Sequence, residues 1–117
     1  MSYIDGFVAA VPTANKEAYR AYAQVMGKVF KEYGALEVID CWGDDVPEGK
    51  LTSFTMAVKR EDDESVVFSW LTWPSRAVRD DAWAKVMADP RMKAGATPMP
   101  FDGKRMIYGG FEMISKV

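Results

Sequence analysis

The sequence predicts an α+β domain in the ferredoxin-like order strand, helix, strand, strand, helix, strand. A four-stranded antiparallel sheet would then carry two helices on one face. Three observations lead there. Apolar residues alternate at period two in four stretches, and they recur at spacings of three and four in two others. Pro, Gly and Asp clusters punctuate the junctions. A length of 117 residues suits one domain, 1–117, with its own core.

Residues 3–11 are strand-like and close at Pro12. Thr13 and Asn15 each offer an N-cap for the helix that follows. Tyr19, Tyr22, Ala23, Met26, Val29, Phe30 and Tyr33 give that helix one continuous apolar face, and Gly34 stands where a C-terminal glycine belongs. Gly27, inside it, costs about 1 kcal/mol relative to Ala and marks a place for close packing. Residues 36–42 read as the second strand, and Gly43 to Lys50 as turn chemistry throughout. Residues 51–59 fit two descriptions: Phe54, Met56 and Val58 alternate like a strand, and the same stretch suits a short helix. After the acidic turn 61–64, residues 66–73 form the clearest strand. Ser75 caps a second helix running to about Ala88, with Val78, Ala82, Val86 and Met87 as its stripe. Asp89 and Pro90 stop that helix. A loop over 98–103 leads to the last strand, 105–114. Gly6 and the pair Gly109-Gly110 fall on the first and last strands, which this topology makes antiparallel neighbours.

Both strand faces are apolar. Val66, Phe68 and Trp70 point one way, and Val67, Leu71 and Trp73 the other; Ile4, Val8 and Ala10 oppose Tyr3, Phe7 and Ala9. Right-handed crossovers put both helices on one face, so the other stays bare. A homodimer packed sheet to sheet, closing into a barrel-like core, removes that liability. The alternative is a monomer in which 51–59 and 94–101 cover the sheet.

Composition excludes several function classes. Net charge is −2 and acids alternate with bases, so a nucleic-acid footprint is missing. No apolar run approaches the roughly 18 residues of a membrane helix. One cysteine, Cys41, and an N-terminus without a signal-peptide pattern fit the cytoplasm. There is no histidine, and Asn15 is the sole asparagine, which removes the commonest general base and metal ligand. No zinc, calcium, phosphate-loop or nucleophile-elbow motif occurs, and neither metal nor cofactor is expected.

Aromatic and ionisable side chains recur along the strands. Asp5, Asp40 and Tyr108 are the candidate acid–base groups, since a carboxylate desolvated in an aromatic wall has its pKa raised into a useful range. Phe7, Trp42, Phe68, Trp70 and Arg105 are the candidate ligand-binding residues, an aromatic set with one cation. On this reading Asp5→Asn abolishes turnover without unfolding the protein. Singly, each residue also has a structural reading as core, interface or ion pair.

Several longer strings carry a resemblance. They include Tyr3-Ile4-Asp5-Gly6-Phe7-Val8, Gly43-Asp44-Asp45-Val46-Pro47-Glu48-Gly49-Lys50 and Lys85-Val86-Met87-Ala88-Asp89-Pro90-Arg91-Met92, with the most specific running from Met99 to Phe111. Together they resemble the bacterial YbaA-like family, domain-of-unknown-function family 1428, over nearly the whole chain. The resemblance implies a dimeric α+β barrel and brings no established activity. The wider superfamily includes cofactor-free oxygenases, isomerases, haem-degrading enzymes and sensory domains. Haem degradation of the histidine-dependent kind does not suit a chain without histidine. Three readings stay open: a homodimer binding a small apolar or aromatic molecule, a cofactor-free enzyme with an Asp or Tyr acid–base group, and a structural or protein-interaction module.

Overall fold

Strand β1 (Tyr3–Pro12) lies inside the sheet and pairs antiparallel on both sides, with β3 (Glu64–Trp73) and with β4 (Ile107–Glu112). β2 (Glu37–Trp42) pairs antiparallel with β3 at the far edge, giving the order β2-β3-β1-β4. Helices α1 (Lys16–Glu32) and α3 (Arg76–Ala88) follow β1 and β3. The ferredoxin-like α+β fold is therefore present, in a computed structural model that describes residues 2–93 and 98–117.

The register assigns the faces. Tyr3, Asp5 and Phe7 oppose Trp73, Leu71 and Ser69, and Val38, Asp40 and Trp42 continue that row on β2. This row meets the helices: Leu71 and Trp73 form one core with Met26, Val29 and Phe30 of α1 and Ala82 and Val86 of α3. Trp73 is fully buried, a burial that stabilises by about 1.5–3 kcal/mol for a large apolar side chain. A second cluster joins Val11, Tyr19 and Val67, with Trp42 and Phe101 against it.

The opposite row holds Ile4, Val8, Phe68, Trp70 and Ile39. Residues 51–59 resolve as a helix, α2 (Phe54–Ala57), capped by Ser53 accepting from the Met56 N–H at 3.0 Å. Val58 follows it into a small outer cluster with Val8, Ala10 and Val66. Among the described residues, only that end of the outer face is covered. Phe68 remains 43% exposed, Ile107 44% and Phe111 61%. Of the other expected cover, residues 94–97 lie outside the described residues, and Phe101 packs on Tyr19 and Tyr22 of the helix side instead.

Other expectations need correction. Neither Thr13 nor Asn15 caps α1 through its side chain. A 3-10 turn over Thr13–Asn15 leads into the helix, Thr13 Oγ1 hydrogen-bonds Ser65 Oγ, and Asn15 Nδ2 donates to the Pro100 carbonyl. Tertiary partners have outbid the local cap. On α3, Met87 points to solvent, and Trp83 takes the inward place because its indole N–H has a buried acceptor. The last strand begins at Ile107, because Gly103–Arg105 forms a 3-10 turn capped by Asp102. Ser75 caps α3 as expected, and Gly34 ends α1 with φ of 120°, a conformation that favours glycine.

Candidate functional site

An open groove of about 1110 Å³ runs between α1 and the edge strand β2. The helix contributes Lys16, Arg20, Gln24, Gly27 and Lys31, residues three or four apart and so on one flank, with Lys28 beside them. The strand contributes its helix-facing row Val38, Asp40 and Trp42. Gly27 narrows the helix opposite Val38, and a Cβ there would stand 3.6 Å from Val38 Cγ1, an ordinary contact.

At one end of the groove an aromatic group meets a carboxylate. Tyr19 donates its phenol proton to Asp40 Oδ1 at 2.8 Å. Burial and the nearby Asp40 charge push the Tyr19 pKa well above the usual range, so the phenol stays a donor. Its ring lies 6.1 Å from that of Trp42, over which Lys16 Nζ sits at 5.8 Å from the centroid. Aromatic surface, one carboxylate and several cations thus converge on a concave surface, the usual make-up of a small-molecule site.

The sequence-predicted residues do not gather into one cavity. Asp40 and Trp42 are in the groove. Asp5 and Phe7 also face the helices, but beneath α3. Asp5 Oδ2 accepts from Trp73 Nε1 and Trp83 Nε1, each at 2.9 Å, and Oδ1 accepts from Arg79 Nη2 at 2.8 Å. Gly110 gives this cluster room: a Cβ there would lie 2.9 Å from Arg79 Nη2 and closer still to the Tyr3 ring. Phe7 packs between Trp83 and Tyr108, and Tyr108 is mostly exposed on the edge strand β4. Phe68 and Trp70 pack against each other on the outer face, with ring centroids 5.6 Å apart and planes tilted by 59°. Arg105 sits at the far end of the sheet, where its Nη1 and Nη2 each donate to Glu64 at 2.7 Å. Alternation along β3 puts Trp70 on the face opposite to Val67 and Ser69, the register partners of Trp42 and Phe7.

Tyr19 and Lys16 were not singled out from the sequence as site residues. Tyr19 reads as one more position on an apolar helix face. The only local signal for the groove wall is the polar row 16, 20, 24, 28, 31, which looks like any solvated flank. Among the described residues, no group of three or more Cys, Asp and Glu side chains is placed to hold a metal ion. No described helix is long and apolar enough to cross a membrane.

Comparison with known proteins places this architecture. The family model described as "Protein of unknown function (DUF1428)" matches residues 2–103. The chain belongs to the DUF1428 family. The uncharacterized protein YbaA of Escherichia coli strain K12 is 60% identical over 114 residues, covering 97% of each chain, and YbaA of Shigella flexneri matches equally. Among solved structures, SnoaB, a cofactor-independent oxygenase from Streptomyces nogalater, superposes with a TM-score of 0.58 at 12% identity, covering 99% of this chain and 96% of its own. Rv0793 from Mycobacterium tuberculosis superposes with a TM-score of 0.53, also at 12% identity, covering 99% and 98%. At such identity these two establish the fold of this DUF1428 member and no activity.

Proposed function

We propose that two copies of this DUF1428 protein pair through the outer sheet face and that each binds a small apolar or aromatic molecule in the α1–β2 groove. The observation that carries the ligand reading is the groove itself, with Trp42 and Tyr19 at one end and Val38 along its side. Its volume of about 1110 Å³ lies just above that of ordinary ligand pockets, of order 300–1,000 Å³, as suits an open groove. An exposed free thiol, Cys41, suits a reducing compartment, which we take to be the cytoplasm. Native mass spectrometry of the protein purified gently from its own host tests the reading. A stoichiometric small molecule retained by the native protein and lost in Trp42→Ala supports it. A native protein with no extra mass, and no binding of aromatic probes at micromolar concentration, overturns it.

A second reading, cofactor-free catalysis, is favoured by the Tyr19–Asp40 hydrogen bond at the groove. Asp40 would accept a proton from bound substrate while Tyr19, held protonated, steadies the carboxylate. This reading requires that Asp40→Asn lose turnover while ligand still binds. If both survive, Asp40 is not the base.

A further inference from the structure

We propose that the α1–β2 groove selects an aromatic molecule bearing a negative charge; the inference rests on the groove being a ligand site, as proposed above. The whole chain has net charge −2, yet the α1 wall of the groove is a row of four cations, Lys16, Arg20, Lys28 and Lys31. Three carboxylates line the same groove, Glu32, Glu37 and Asp40, and of the two on β2 only Asp40 is on the helix-facing row.

What these groups already hold separates the two sets. Glu32 is bound by Arg91 from the 3-10 turn after α3. Arg20 is tied to Glu17 on the helix surface. Lys31 Nζ donates to the Leu36 carbonyl, a neutral partner that leaves its charge uncompensated. Lys28 makes no ion pair among the described residues. Lys16 rests over the Trp42 ring with no carboxylate partner among the described residues. The α1 wall therefore presents unneutralised positive charge at Lys16, Lys28 and Lys31.

Lys16 and Trp42 together define how a ligand would lie. A cation on an exposed aromatic face is a weak contact. The same face is where a flat ring stacks. A ligand ring on Trp42 displaces the Lys16 ammonium, whose flexible stem lets it swing to the ligand's edge and pair with an anionic group there. Asp40, two residues before Trp42 on the same strand face, repels that group and turns it toward α1. A cationic ligand would meet the like charges of Lys16, Lys28 and Lys31 instead.

Two fluorescent probes test this on the full chain. One is 1-anilinonaphthalene-8-sulfonate; the other is N-phenyl-1-naphthylamine, the same ring system without the sulfonate. The sulfonate is expected to bind more tightly, and its advantage to shrink in 1 M salt, where screening reaches about 3 Å. Lys16→Gln should weaken the sulfonate about fivefold and leave the neutral probe unchanged. Asp40→Asn should strengthen it. Trp42→Ala, which removes the ring on which a ligand would stack, should remove both probes and keep the fold, since Trp42 only packs against the edge of its core cluster. Equal binding of both probes, with both lost in Trp42→Ala, overturns charge selection and leaves the groove a ligand site. Binding of both probes unaltered by Trp42→Ala puts them away from the groove and overturns both readings.

Discussion

Asp5 is 2% exposed, and its two oxygens face two indole N–H groups and a guanidinium. Arg79 Nε lies 3.1 Å from each oxygen, so the pair is forked as well as charged. Removing one partner of a buried pair leaves the other charge without compensation, at a cost of about 3–5 kcal/mol. Asp5→Asn keeps the shape but sets an amide N–H₂ against donors. It should lower the urea midpoint by an amount equivalent to about 3 kcal/mol with an unchanged m-value. An unaltered midpoint would remove the structural role and return Asp5 to the acid–base candidates. Two other carboxylates set the pH dependence. The Arg105 guanidinium holds Glu64 below the usual carboxylate range, and hydrogen bonds from Arg91 do the same for Asp89. A carboxyl with a depressed native pKa stabilises the fold above its unfolded value and loses that contribution as pH falls through the native one. Stability should therefore hold above about pH 4.5, the unfolded Glu value, and fall below it. Glu64→Gln should be less stable at pH 7 and flatter across the acid limb of a thermal-melt series. A parallel acid limb would exclude the pair as a cause.

Helix α1 illustrates which parts of the molecule can be read along the chain and which cannot. Its inward face, Tyr19, Met26, Val29 and Phe30, follows from period 3.6 alone, and these residues are buried. Its opposite-edge row, Lys16 to Lys31, became a groove wall only because β2 returns alongside it, a contact no local pattern encodes. The same limit applies to the strands. Alternation correctly paired Phe68 with Trp70 and Val67 with Leu71, but with both rows apolar it left open which row the helices cover. Residues 51–59 satisfied two periods at once, and the choice fell to the Ser53 cap and to the hole that Val58 fills among Val8, Ala10 and Val66. The candidate residues scatter for the same reason: Asp40 and Trp42 line the groove, whereas Phe68, Trp70 and Arg105 share its composition without sharing its location. Gly27 gives a clean check on α1. A Cβ there meets only Val38, at 3.6 Å, so Gly27→Ala should stabilise by about 0.5–1 kcal/mol through the lost glycine entropy. Destabilisation in a urea titration would mean that α1 sits closer to β2 than this geometry has it.

The molecule measures 38 × 38 × 21 Å, a slab one sheet and one helix layer thick. A sheet needs cover on each apolar face, and here α1 and α3 cover one while α2 reaches only a corner of the other. What stays bare runs from Phe68 on β3 to Ile107 and Phe111 on β4, with the Phe111 ring over Gly6 and Gly109. A flat apolar face is self-complementary in shape and in chemistry, which favours a two-fold pairing with a second copy. In such a pairing each substitution enters the interface twice. Phe68→Lys would bury two ammonium groups against apolar surface, each at a cost of several kcal/mol unless it escapes to water. The monomer tolerates it, because Phe68 is already half in solvent. Sedimentation equilibrium at micromolar concentration should therefore give twice the 13.1 kDa chain mass for the native protein and the chain mass for Phe68→Lys, with the same far-ultraviolet circular dichroism for both. A native protein that sediments at the chain mass would end the pairing proposal, and the exposed Phe68–Ile107–Phe111 surface would then need a different partner.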